Sequence, residues 1–199
     1  YPPGQKVAII GSVGSGKSMA LRILAGLHTP SGGSVRLDGY DLRTLAEDYI
    51  REQIFYLPQD IRLFEGSLRD NLTMGLPLMK ESDLMTACEQ TKLSVLIESH
   101  PKGLSLEIAE GGQGLSVGQR QLVALTRLLL AKPKIALLDE PTSAMDSALD
   151  RHIIELLFEK VLETTTVICV THKMADLKYV DRVSVMNAGR MVLDGPRED

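Results

Sequence analysis

Short apolar runs alternate along this chain with stretches of helical spacing and with clusters of turn formers, and that alternation predicts an α/β fold. Lys6-Val7-Ala8-Ile9-Ile10 reads as a buried strand. Met19 to Ala25 reads as a helix that Gly26 can stop. Val35-Arg36-Leu37 predicts a short strand, with Asp38-Gly39 as a hairpin signal, and residues 43–51 a short polar helix. Ile54-Phe55-Tyr56-Leu57 predicts a strand ended by Pro58. From 61 to 100 the strand pattern disappears. Residues 67–72 and 82–97 carry helical spacing, with Leu84, Ala87, Cys88 and Thr91 on one side, and residues 101–115 form a glycine-rich loop. Leu122, Leu125 and Leu129 mark the apolar face of a helix for which Ser116 is the N-cap. Ile135-Ala136-Leu137-Leu138 is a further strand, Asp146 opens a helix to about Leu162, and residues 165–170 form another buried strand. Residues 182–186 and 191–193 read as final strands around an Asn187-Ala188-Gly189 turn.

With 199 residues the chain fits one domain with a sizeable core. Its net charge of −4 is spread over interleaved acidic and basic residues, which argues against nucleic acid as a partner. Cys88 and Cys169 lie far apart, and two buried thiols are expected rather than a disulfide. No apolar run approaches the ~18 residues that span a bilayer, and no signal peptide opens the chain, so the segment is expected to be soluble and cytosolic. Tyr1-Pro2-Pro3-Gly4 leads straight into the first strand, the expected look of a segment excised from a larger polypeptide.

The chemistry is concentrated in a few places. Gly11-Ser12-Val13-Gly14-Ser15-Gly16-Lys17-Ser18, between a strand and a helix, fits the P-loop pattern. Backbone N–H groups and the helix dipole favour a phosphate there, and glycines keep Cβ atoms out of the way. Lys17 can reach the β- and γ-phosphates, and the Ser18 hydroxyl can ligate Mg²⁺. Gln59 stands at the C-terminal end of a strand, where open α/β sheets place ligands, although alone it reads more simply as a solvated loop residue. Ser116 and Gly118, at another helix start, offer a second anion site beside a plain capping role. Asp139 at a strand tip has the Walker B arrangement that holds Mg²⁺ through water, and Glu140 can polarise a water for attack on the γ-phosphate. His172 follows another strand at the same sheet edge.

In this order the motifs resemble the nucleotide-binding domain of an ATP-binding-cassette (ABC) transporter over nearly the whole chain. Gly11 to Ser18 is similar to Walker A, Gln59 to the Q-loop, and Leu115-Ser116-Val117-Gly118-Gln119 to the LSGGQ signature. Ile135 to Glu140 is similar to Walker B with the catalytic glutamate, Ser143-Ala144-Met145-Asp146 to the D-loop, and His172 to the switch histidine. The resemblance implies a P-loop NTPase (RecA-like) core, residues 1–60 and 117–199, with an inserted helical subdomain at about 61–116. It implies ATP and Mg²⁺ as cofactors. The nucleotide would be held by Gly11, Ser12, Val13, Gly14, Ser15, Gly16, Lys17, Ser18, Met19 and Gln59 of one chain. Ser116, Gly118 and Gln119 of the signature would complete the site from a second, head-to-tail copy, and Asp146 would also bind the nucleotide. Ser18, Gln59 and Asp139 would hold the metal, and Lys17, Gln59, Glu140 and His172 would carry catalysis.

Residues 56–60 and 63–71 are similar to the exporter branch, and residues 110–116 and 141–146 to bacterial type I secretion ATPases. The implied function is ATP hydrolysis driving export of a polypeptide from the cytoplasmic side of the inner membrane, with membrane-spanning helices as partner and room for a periplasmic adaptor. A lipid or small-molecule exporter is the alternative, and a soluble ABC-type ATPase a more distant one. Two departures qualify the resemblance. Val117 replaces the signature's first glycine, and Tyr1 stands too near the P-loop to be the family's adenine-stacking aromatic, which is expected to be absent, as in an N-terminally truncated domain.

Overall fold

Runs at Val7–Ile10, Ile135–Leu138 and Val167–Val170 are apolar at every position, as is usual for strands covered on both faces. In the computed structural model, which describes residues 1–197, they form the centre of a six-stranded sheet. Its order is Arg190–Pro196, Arg182–Asn187, Lys6–Gly11, Thr166–Val170, Ile135–Asp139, Ile54–Leu57. All neighbours are parallel except the first pair, a hairpin closed by Ala188 and Gly189, both at positive φ. Val7, Ile9, Leu137, Ile168, Val170 and Met186 of the sheet pack with Leu21 of the helix Lys17–Leu24. Burying such a leucine stabilises the fold by roughly 1.5–3 kcal/mol. Gly26, at φ 74°, ends that helix: its N–H reaches the Ile23 carbonyl, and the next N–H, of Leu27, reaches Arg22.

The sheet belongs to one compact unit, made of residues 1–58, 133–140 and, within the described residues, 162–197. The expected hairpin is present as Arg36–Leu37 and Tyr40–Asp41. The short helix expected at 43–51 divides into a 3-10 turn, Leu42–Thr44, and a helix, Glu47–Gln53. Lys6 opens its strand with a buried ammonium that donates to the carbonyls of Gly4, Glu163 and Thr165, and burial lowers its pKa.

Residues 59–132 and 141–161 make the second unit. This line falls elsewhere than the one read from the sequence, which keeps 117–161 with the core. The reason lies in the helix Val117–Ala131, whose buried face packs on the helices Leu68–Thr73 and Glu81–Thr91. The Thr126 and Thr91 hydroxyls pair at 2.7 Å, and Arg127 donates to the carbonyls of Asn71 and Met74. Leu84, Ala87, Cys88 and Thr91 form the buried side of Glu81–Thr91, as their spacing predicts. That helix stops at Lys92, φ 67°, before a separate helix, Ser94–Ser99, so 82–97 is not one element. The loop expected at 101–115 contains a strand, Glu107–Ile108, paired with Gly66–Ser67. Asp146 caps the helix Ser147–Glu155, after which Leu156–Val161 winds as a π-helix. There three successive buried residues, Leu156, Leu157 and Phe158, would cover about 200° of an ordinary helical wheel. Cys88 and Cys169 are free buried thiols, and burial pushes both upward in pKa, Cys88 to about 11.

Candidate functional site

Three adjacent parallel strands deliver the chemistry of the first unit at their C-terminal ends. The first ends in the glycine loop. Gly11 has φ 152°, and a Cβ there would overlap the Met186 carbonyl oxygen, so only glycine lets the neighbouring strand approach. Ser15 N–H turns back to the Ser12 carbonyl, and the Ser15 carbonyl is braced by Gly189 N–H at 3.0 Å. Gly16, φ 97°, starts the helix without a side-chain cap, and no acidic residue occupies the first turn, which leaves the N-terminal dipole to an anion. Lys17 folds over the loop, donating to the Gly11 and Ser12 carbonyls at 3.0 and 2.9 Å.

The second strand ends in Asp139 and Glu140. Asp139 is 2% exposed, and its Oδ1 has no hydrogen-bond partner among the described residues. Burial raises its pKa, the neighbouring Glu140 charge adds to the rise, and the Ser18 hydroxyl, Arg22 and Lys17 oppose it. Glu140 sits in the left-handed region at φ 51°, held by its N–H on the Val170 carbonyl at 3.0 Å. A carboxylate-bearing residue kept in that conformation is local strain of the kind that marks working sites. The third strand leads to His172, whose Nε2 lies 3.0 Å from Glu140 Oε1. The imidazole is thus one partner of the Glu140 carboxylate.

In the second unit Ser116 Oγ accepts from Gln119 N–H, while Ser116 N–H donates to Gln119 Oε1, a capping box. Val117, where the signature has glycine, points outward and is half exposed. Gly118 is needed for another reason: a Cβ there would lie 3.1 Å from the Ala144 carbonyl oxygen. Asp146 accepts from Ala148 and Leu149 N–H as N-cap of its helix. Gln59 follows Pro58, where the chain passes into this unit.

The sequence profile of the ABC transporter family matches residues 1–143. The chain belongs to the ABC transporter family. ATP-binding domains of ABC transporters are ATPases, and this chain is such a domain. It is 38% identical over 97% of its length to the mycobactin import ATP-binding/permease protein IrtB of Mycolicibacterium thermoresistibile, and 35% identical over 98% to an ATP-dependent lipid A-core flippase of Neisseria meningitidis. It spans 33% and 31% of those proteins, and 15% of the ABC-type transporter fsqE of Aspergillus fumigatus, to which it is 36% identical. A bacterial Atm1-family ABC exporter with ATP bound superposes with a TM-score of 0.92 at 30% identity, over 98% of this chain and 34% of that one. The α/β fold expected from the motifs is the fold of this ABC transporter domain.

The residues present fit Mg²⁺ held together with a triphosphate. No group of three or more His, Cys, Asp or Glu side chains gathers among the described residues. One buried carboxylate with an unpaired oxygen beside a serine hydroxyl, opposite a phosphate cradle, matches the few protein ligands that Mg²⁺ takes when phosphates supply others. Two contributors escaped the sequence reading. Gln121, 1% exposed on a mostly apolar face, holds Ser143 Oγ and Ala144 N–H, and its polarity beside leucines was the available signal. Met186, whose carbonyl Gly11 approaches, gave none. Tyr1 places its hydroxyl 3.3 Å from Ser184 Oγ. Among the described residues no helix is long and apolar enough to cross a membrane.

Proposed function

We propose that this domain hydrolyses ATP to drive an exporter-type transporter, with each nucleotide enclosed by two copies of the domain. The observation that carries the reading is the gathering of Lys17, Ser18, Asp139, Glu140 and His172 at one end of three adjacent strands. Lys17 would leave its carbonyl partners for the β- and γ-phosphates, a charge-assisted exchange of acceptors. Ser18, Asp139 and Gln59 would hold Mg²⁺, which draws charge from the phosphate oxygens. Glu140 orients and polarises the attacking water, and His172, on Glu140 before nucleotide binds, contacts the γ-phosphate.

A P-loop encloses only one side of a triphosphate. Ser116, Gly118, Gln119 and Asp146 would cover the open side of the nucleotide held by a second copy, because a two-fold pair satisfies both sites at once. The domain would sit at the cytoplasmic side of the inner membrane, and Gln59 and the helical unit would pass closure on to membrane-spanning helices of the same transporter. The transported substrate is a polypeptide in the reading favoured by residues 110–116 and 141–146, which resemble type I secretion ATPases, a setting in which a periplasmic adaptor also belongs. A lipid is the second reading, favoured by the similarity to a protein named as a lipid A-core flippase.

Mixing separates a shared site from a private one. Ser116→Arg and Lys17→Ala, made in separate intact proteins, should each be nearly inactive as homodimers. Mixed dimers hold one site with both defects and one with neither, so about half the wild-type activity per mixed dimer should return. No rescue on mixing, with wild-type hydrolysis strictly linear in enzyme concentration, would contradict the shared site. Reconstitution with labelled lipid or with an exported polypeptide distinguishes the two substrates by which one stimulates hydrolysis.

A further inference from the structure

His172 reaches Glu140 from a loop, and a loop by itself does not keep a side chain at hydrogen-bonding distance. A ring of three hydrogen bonds encloses it. The Thr171 hydroxyl donates to Asp176 Oδ2 at 2.7 Å, Lys173 N–H donates to Thr171 Oγ1 at 3.0 Å, and Asp176 N–H donates to the Lys173 carbonyl at 3.1 Å. Thr171 N–H is also directed at the Ile9 carbonyl of the neighbouring strand, at 3.4 Å. Thr171 and Asp176 are both buried.

Chemistry fixes the direction of each bond. An ionised carboxylate only accepts, so the threonine proton points at Asp176 and the hydroxyl lone pairs are left for Lys173 N–H. The carboxylate also makes that bond stronger than a neutral acceptor would. The turn it closes flanks His172 on both sides.

We infer that Thr171 and Asp176 form a clasp that positions His172 against Glu140, and so sets how well His172 serves hydrolysis. This rests on the reading of His172 given under Proposed function. Neither residue touches the nucleotide in that reading. Both are positioning residues, and their effect passes through the imidazole.

The test uses the full-length protein. Thr171→Val keeps the shape and removes the hydroxyl, whereas Asp176→Asn keeps an acceptor for it. Thr171→Val should lower kcat for ATP hydrolysis about tenfold with KM within about twofold, and Asp176→Asn should keep about half the rate or more. Added to His172→Ala, Thr171→Val should cost nothing further, the mark of two residues acting as one unit. Amide exchange over 172–175 should quicken about tenfold in Thr171→Val. An equal loss with and without His172, a KM that rises as kcat falls, or unchanged exchange would overturn the clasp. If His172→Ala alone hydrolyses ATP at the wild-type rate, the role of His172 fails, and the exchange measurement alone then decides whether the clasp orders the loop.

Discussion

Asn71 in the second unit and Asp139 in the first are both buried polar side chains, and they are treated in opposite ways. Asn71, 0% exposed, accepts from Phe64 N–H and donates to the carbonyls of Phe64 and Ser67, so its amide is spent on holding a loop to a helix. Asp139 keeps an oxygen without a partner among the described residues, and its neighbour Glu140 is held at positive φ. The same contrast runs through the motifs. Ser116, Gln119, Gln121 and Asp146 bond to the backbone or side chains of their own unit, whereas Lys17 bonds to carbonyls that a phosphate would outcompete. Satisfied groups build a rigid surface to present, and an unsatisfied carboxylate oxygen at a strand tip beside a phosphate cradle fits a place where a ligand completes the structure.

The sharpest way to break this comparison is to remove chemistry without removing structure. Glu140→Gln in the intact protein should slow single-turnover hydrolysis about 10²–10⁴-fold with nucleotide binding retained, because the amide cannot take a proton from water. Loss of binding together with hydrolysis would make Glu140 a structural group. Asn71→Leu should do the reverse. It leaves the Phe64 and Ser67 backbone groups unpaired, at a cost of about 2–4 kcal/mol. Amide exchange should quicken through 59–132 while residues 6–11 stay protected. Uniform loss of protection would show that the units do not differ in this way.

The sequence made the first unit legible because its central strands are largely apolar and its glycines recur at fixed spacing. Walker-type residues sit at strand ends, where order in the chain becomes neighbourhood in space. The second unit was less legible. Its helices 81–91 and 94–99 share one apolar pattern and are parted by Lys92 in a left-handed conformation that no glycine announces. The helix Val117–Ala131 carries a motif of the site yet packs with the helical unit, which spacing alone does not reveal. The contact of Glu140 with His172 joins residues that follow two neighbouring strands, and only the pairing of those strands supplies it.

Smaller effects sharpen the account. Gly118→Ala should cost about 1 kcal/mol, since the Ala144 carbonyl must yield to a methyl at 3.1 Å. A melting shift near zero would mean that the loop gives freely. The least effect is at the sheet edge, where the Arg182 guanidinium and the Ser184 hydroxyl hold the Asp194 carboxyl at about 2, below its ordinary 3.8. A folded pKa below the unfolded one stabilises above pH 3.8, and that contribution is lost as pH falls toward 2. Solvent screening limits it to about 1 kcal/mol or less. Asp194→Asn should therefore lower the melting temperature slightly at neutral pH and not at all near pH 2, and an equal deficit at both would locate the effect in packing.

The contrast between the units rests most directly on Asp139, and thermal melting of wild type and Asp139→Asn, each with and without Mg²⁺ and ATP, tests it. Nucleotide-free Asp139→Asn should melt higher by about 2–4 °C, because a buried charge has been removed. Wild type should then gain about 2.7 kcal/mol from ATP with Mg²⁺ at a hundred times the dissociation constant, and the variant should lose the Mg²⁺-dependent part of that gain, so that the order of the two proteins reverses. A variant that melts lower without nucleotide, or that keeps the full Mg²⁺-dependent gain, would contradict the claim that Asp139 keeps an oxygen open for a metal ion.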